Sequence, residues 1–136
     1  MGENSVEWHF SPHAESVPLA RQALHKQLDQ WRATNQADTA ALLLSELASN
    51  AYRYGASRPT DLIGVRFALR PAVLRVEVSD PNPHAPGIRS NVRSDDESGR
   101  GMLLVSALAD DWGVEHHTPT HRKTVWFEIQ APGASC

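Results

Sequence analysis

Two pairs of segments in which apolar and polar residues alternate place the strongest limit on how this chain folds. The first pair covers residues 62–69 and 73–78, and the second covers residues 112–115 and 124–129. A period of two indicates a half-buried strand, and a short connection between two such strands indicates an antiparallel hairpin. The sequence therefore predicts a sheet assembled from hairpins and not a doubly wound parallel sheet. A further short strand is predicted for residues 6–10.

Helices are predicted between these strands. Apolar residues recur at helical spacing over residues 15–34, and a second helix runs from a start near residues 35–38 to about Tyr54, where Gly55 offers a stop. A third helix is predicted from the apolar stretch that begins at Met102. Strands in consecutive hairpins, with the helices grouped elsewhere in the chain, predict an α+β two-layer sandwich.

The connection between the two hairpins is rich in proline and glycine. Residues 81–101 contain almost no apolar side chains, and the segment ends with Gly99, Arg100 and Gly101 directly before the third predicted helix. A connection of this length is long for a compact domain and is typical of a functional or a disordered segment. We therefore expect a lid at about residues 81–100.

Length and composition predict one domain over residues 1–136, with an ordered core at about residues 5–130. A formal net charge of −3 does not favour direct binding to nucleic acid, which normally needs a strongly basic surface. No apolar run approaches the roughly 18 residues of a membrane span, and the start of the sequence lacks a signal-peptide pattern. These two absences predict a protein that does not contact a membrane. Because Cys136 is the single cysteine, no disulfide can form within the chain, and we expect a cytoplasmic protein.

Three separated segments carry groups suited to a magnesium nucleotide. Bare glycine backbone at a helix start favours phosphate oxygens, and Arg100 adds positive charge. On the second predicted helix, Asn50 offers an amide oxygen for Mg²⁺, and Glu46, one turn earlier, is placed to accept a proton. Each feature also has a plainer interpretation. A glycine pair before a helix is often only a tight turn, Glu46 and Asn50 are often solvated residues, and Asp80 after a strand is often a turn residue.

Taken in order, four segments resemble the motifs of histidine-kinase/Hsp90-like ATPases. Residues 45–55 read SELASNAYRYG, residues 76–80 read VEVSD, residues 97–113 read ESGRGMLLVSALADDWG and residues 123–128 read KTVWFE. The first segment has the E-L-x-x-N-A form typical of anti-sigma-factor serine kinases. The likeness covers about residues 5–130. It implies the two-layer (Bergerat) fold of these ATPases, with a mixed, mostly antiparallel sheet and three helices on one face.

The resemblance also implies roles for individual residues. Glu46 would be the base that activates a serine hydroxyl on a partner protein, and Asn50 would bind Mg²⁺. Asp80 would accept a hydrogen bond from the adenine amino group, with Thr124 assisting through water. The other positions that the resemblance assigns to ATP binding are Asn82, Gly99, Arg100, Gly101 and Met102.

The implied activity is that of an anti-sigma factor. Such a protein binds a sigma factor and phosphorylates an antagonist, an anti-anti-sigma protein of the STAS-domain type, with ATP and Mg²⁺. Members of the family often form homodimers through the sheet. One feature leaves an alternative open, because Asn82 and His84 stand where the D-x-G-x-G pattern of the family has glycines. That alternative is a partner-switching module with weakened catalysis or with no bound nucleotide.

Overall fold

A computed structural model of the chain describes residues 4–56, 58, 60–82, 97–117, 120 and 122–131, with only the backbone described for residues 97–100. Along the chain the elements are β1 (Asn4–Phe10), α1 (Ser16–Gln30), α2 (Ala37–Asn50), a π-helical turn (Ala51–Gly55), β2 (Ile63–Arg70), β3 (Val73–Asp80), α3 (Glu97–Leu108), β4 (Asp111–His117) and β5 (Arg122–Gln130). In the described part of the chain, no helix combines the length and the apolar composition that crossing a bilayer requires.

The five strands form one sheet in the order β1-β2-β3-β5-β4. Each of the four neighbouring pairs is antiparallel, so the described sheet is antiparallel throughout, where a mixed but mostly antiparallel sheet was expected. Both predicted hairpins are present as β2–β3 and β4–β5. The predicted α+β class is therefore confirmed.

The core lies between the helices and one face of the sheet. Alternate residues of β3 and β5 point into it, and the residues between them lie on the outer face, which is more exposed. The helices contribute their apolar stripes to the same cluster. The largest side chains that are fully buried include Leu24, Leu28, Leu43, Leu44, Phe67, Leu74, Val76, Met102 and Phe127.

The end of α2 differs from an ordinary helix end. After Asn50 the chain continues for one π-helical turn to Gly55, and Ala56 then takes an extended conformation. A π turn holds more residues than an α turn, and such turns occur frequently at functional sites. The predicted stop at Gly55 is confirmed, and the wider turn carries Gly55 to the end of β3, where it lies against Asp80.

The face of α2 that enters the core can be tested with two neighbouring leucines. Leu43 is fully buried, and Leu42 is 43% exposed. We expect Leu43→Ala to lower the free energy of unfolding by about 2–5 kcal/mol, because the core cannot close completely over the missing side chain. The matched change Leu42→Ala should cost less than about 1 kcal/mol. Urea denaturation of both variants measures the difference, and equal losses would mean that α2 presents another face to the sheet.

Candidate functional site

A buried ion pair joins the ends of the two central strands. Asp80 is the last residue of β3, and Lys123 lies directly opposite it in β5. The Lys123 ammonium donates to both carboxylate oxygens of Asp80, at 2.9 Å to Oδ1 and 3.2 Å to Oδ2. The two side chains are only 4% and 6% exposed, with Asp80 the more buried. A charged pair at this depth is rare unless its hydrogen bonds are satisfied.

Asn82 completes the hydrogen bonding of this pair. Its backbone N–H donates to Oδ1 of Asp80 at 2.8 Å, and its carbonyl oxygen accepts from the Lys123 ammonium at 3.1 Å. Its side-chain amide donates to the carbonyl oxygen of Tyr54 in the π turn at 2.7 Å. The structure therefore brings Asp80 and Asn82 together, and it connects both to the end of α2.

Gly55 lies against the carboxylate of Asp80. A methyl group added at Gly55 would lie 2.3 Å from Cγ of Asp80 and 2.5 Å from Oδ2. These distances are far shorter than a normal contact, and the carboxylate is held by its bonds to Lys123 and Asn82. The sequence around Gly55 thus serves two purposes, because the same glycine ends the helix and gives space to the carboxylate.

Glu46 and Asn50 lie one turn apart in α2, where this helix packs against α3. A methyl group added at Gly101 would lie 2.8 Å from Oε2 of Glu46. Among the described residues, the buried amide nitrogen of Asn50 has no hydrogen-bond partner. Leaving a buried polar group without a partner costs about 1–3 kcal/mol. The structure therefore brings Glu46 and Gly101 together, and beside them it leaves an amide that a polar ligand would satisfy.

The start of α3 differs from the prediction. The helix begins at Glu97, so Gly99 and Arg100 lie in its first turn and Gly101 lies in its second. The N–H groups left free at a helix start belong to the first four residues, here residues 97–100, and not to Gly101. Met102, which was expected to bind nucleotide, has its side chain fully buried in the core. The side chain of Arg100 and the greater part of the predicted lid, residues 83–96 with His84, lie outside the described residues.

Thr124 was expected to assist Asp80 in binding adenine, but its side chain does not point toward Asp80. It lies on the outer face of the sheet, where its Oγ1 is 2.8 Å from Nε2 of His117. It lines an outer-face cavity of about 120 Å³, whose other lining residues are Glu7, Gly64, Val65, Arg66, Glu77 and Ser79. Side chains alternate along a strand, so Thr124 and Lys123 point to opposite faces. The residue beside Asp80 is Lys123, which was not among the predicted site residues. Lys123 is two positions before the core residue Val125 in β5, so strand alternation would have placed both on the same face.

Comparison with known families agrees with this geometry. Residues 10–129 match the histidine kinase-like ATPase domain. The chain belongs to this ATPase domain family. A search of curated proteins found no match to the chain. The antiparallel sheet with three helices is consistent with the fold of the family, and membership implies that the chain binds ATP.

One described residue of this ATPase domain, Asn50, has the chemistry needed to bind a nucleotide together with its metal ion. The buried amide nitrogen of Asn50 lacks a partner among the described residues, and rotation of the amide group would place its oxygen in that position instead. Mg²⁺ prefers oxygen ligands and is held mainly through phosphates and waters, with one or two protein oxygens. Asn50 is therefore the residue that would hold it. Within the described ranges there is no cluster of three or more His, Cys, Asp or Glu side chains that could bind a metal by itself.

The two close glycine contacts predict opposite effects on stability. Gly55→Ala should lower the free energy of unfolding by about 1–3 kcal/mol, because the new methyl group meets a carboxylate that is held in place. Gly101→Ala should leave stability unchanged or raise it by up to about 1 kcal/mol. Its methyl group would come too close only to Oε2, at the flexible end of Glu46, and would lie at an ordinary contact distance from the Cβ and Cδ atoms of that side chain. Alanine is also the better helix former. Urea denaturation of both variants tests this ranking, which a larger loss in Gly101→Ala would contradict.

Proposed function

We propose that this ATPase domain is an anti-sigma factor with ATP-dependent protein serine kinase activity. It would bind a sigma factor and phosphorylate an anti-anti-sigma antagonist of the STAS-domain type. One observation carries the enzymatic part of the proposal. The carboxylate of Glu46 and the amide of Asn50, whose buried nitrogen has no partner among the described residues, lie one turn apart on the side of α2 that packs against α3. The choice of partners rests on the resemblance of residues 45–55 to anti-sigma-factor serine kinases.

The proposed reaction moves the terminal phosphoryl group of ATP to a serine of the antagonist. The serine hydroxyl oxygen forms a bond to the γ-phosphorus, the bond from that phosphorus to the β–γ bridging oxygen breaks, and ADP leaves. Glu46 accepts the hydroxyl proton. Phosphoryl transfer depends mainly on positioning and on neutralising the charge of the phosphate oxygens, and Mg²⁺, when bound, would supply positive charge there. Asn50 would hold the metal.

Asp80 has the position and the chemistry for recognising the base. Its carboxylate is buried at the end of β3, next to Gly55, which has no side chain to cover it. A buried carboxylate accepts hydrogen bonds from amino groups, and adenine carries one such group on its edge. This assignment follows the same resemblance that names Glu46 and Asn50.

One observation favours the alternative, a partner-switching module with weakened catalysis or with no bound nucleotide, and it favours the nucleotide-free form. In the described structure both oxygens of Asp80 already accept hydrogen bonds from Lys123, and Oδ1 also accepts from Asn82. A base that approaches this carboxylate has to displace one of these bonds. Titration with Mg-ATP and with Mg-ADP separates the two candidates, because a nucleotide-free module shows no heat of binding with either.

The kinase proposal predicts different defects for the two residues of α2. Glu46→Gln should retain the affinity for Mg-ATP and lower phosphoryl transfer by about 10²–10⁴-fold, because only the general base is lost. Asn50→Ala should weaken the binding of Mg-ATP itself. Ser49→Ala, in the same helix, is the matched control and should change neither property. Calorimetric titration measures binding, and transfer of labelled phosphate from ATP to purified STAS-domain proteins measures activity.

The same experiments show which part of the proposal fails. Binding of ATP without transfer to any STAS-domain protein would contradict the kinase and leave an ATP-binding module. Transfer that is equally fast in Glu46→Gln would exclude Glu46 as the base. Co-purification with the sigma factors of the cell tests the anti-sigma role separately, and it does not depend on either variant.

A further inference from the structure

We propose that Lys123 reads the base beside Asp80, by donating a hydrogen bond to the ring nitrogen next to the amino group of adenine. This inference rests on the proposed binding of ATP with its base at Asp80, and it adds a second residue to the recognition of the base. It gives a specific role to a lysine that lies on the inner face of the sheet, where its neighbours in β5 are core residues.

The ammonium of Lys123 has no spare proton in the described structure. It has three protons, and three acceptors lie within hydrogen-bond distance: both oxygens of Asp80 and the carbonyl oxygen of Asn82. The side chain of Lys123 is 6% exposed. Water therefore cannot readily replace an acceptor that the ammonium loses.

An amino group that approaches Asp80 has one favourable place to bind. Oδ1 already accepts from Asn82 and from Lys123, at 2.8 and 2.9 Å. Oδ2 accepts only from Lys123 among the described residues, at 3.2 Å, the longest bond of the ammonium. The amino group therefore binds at Oδ2 and displaces one proton of the ammonium from that oxygen.

The displaced proton needs a new acceptor. A buried donor that has lost its partner weakens binding by roughly ten- to a hundredfold, and by more when the donor is charged. In adenine the ring nitrogen N1 is an acceptor and lies next to the carbon that carries the amino group. When the amino group donates to Oδ2 and Lys123 donates to N1, every donor and acceptor at this edge has a partner.

The same pairing explains how the site would reject a related base. Hypoxanthine has a carbonyl oxygen in place of the amino group and an N–H in place of the bare N1. In the same orientation, the carbonyl oxygen faces the carboxylate of Asp80, and the N–H faces the ammonium of Lys123. An acceptor then faces an acceptor and a donor faces a donor. Both contacts are buried, and unpaired polar groups are costly there.

Titration of the wild-type chain with two nucleotides tests the proposal without any variant. One is Mg-ATP, and the other is the magnesium complex of its 1-deaza analogue, in which N1 is replaced by C–H. We expect the analogue to bind about ten- to a hundredfold more weakly, because the Lys123 proton then has no acceptor. Equal affinities would overturn this inference and leave ATP binding intact. No binding of ATP would overturn both the inference and the proposed function.

Variants of the two lysines of the chain assign the effect to one residue. In Lys123→Met the two nucleotides should bind equally, since no donor is left to lose its acceptor. Lys26→Met is the matched control, because Lys26 is exposed on α1, and it should keep the full difference. If Lys123→Met does not fold, Lys123→Gln retains a donor without the charge and should still discriminate. A difference that persists unchanged in Lys123→Met would refute the role of this lysine.

Discussion

The ion pair between Asp80 and Lys123 is the contact on which the arrangement of the site depends. Two charges removed from water persist only when their hydrogen bonds are nearly complete. Here the carboxylate receives bonds from Lys123 and from Asn82, and the carbonyl of Asn82 takes the third ammonium proton. This requirement fixes the ends of β3 and β5 to each other. It also fixes the first part of the chain that leaves β3, and through Tyr54 it connects both strands to α2.

The residues of α2 that stabilise the core and the residues of α2 that are proposed to act on a ligand lie on different sides of the helix. Its leucine stripe, with Leu43 and Leu47, is buried in the core and sets the rotation of the helix. That rotation directs Glu46 toward α3, where Gly101 has no side chain to displace it. A side chain larger than that of alanine at position 101 would occupy the place of the Glu46 carboxylate. Gly101 therefore allows α2 and α3 to approach each other closely. This role does not depend on any contact between the glycine and a phosphate.

Sequence patterns predicted the sheet and the helices, because each element is long enough to show its period. The alternation of side chains along β3 and β5 also predicts which residues face the helices, and the motifs alone do not show this. Lys123 has the same parity as Val125, and Asp80 has the same parity as Val78, so both face the helices and Thr124 faces outward. The early start of α3 was not predictable in this way. Each glycine costs a helix roughly 1 kcal/mol, and the packing of α3 against α2 helps to offset that loss.

The charged groups around Arg75 on the outer face of the sheet all have partners, whereas a neutral polar group of α2 on the inner side lacks one among the described residues. This difference explains why a ligand is expected on the inner side. On the outer face Arg75 lies over the ring of Trp126, 4.0 Å from its centre, and donates to Glu77 and Glu128. Burial alone lowers the pKa of Arg75, but its bonds to Glu77 and Glu128 outweigh that effect and raise the pKa above its ordinary value. These outer charges therefore satisfy one another. On the inner side the amide of Asn50 lacks a partner within the described residues. A polar ligand gains most where it supplies a missing partner, since it removes a cost that the protein alone retains.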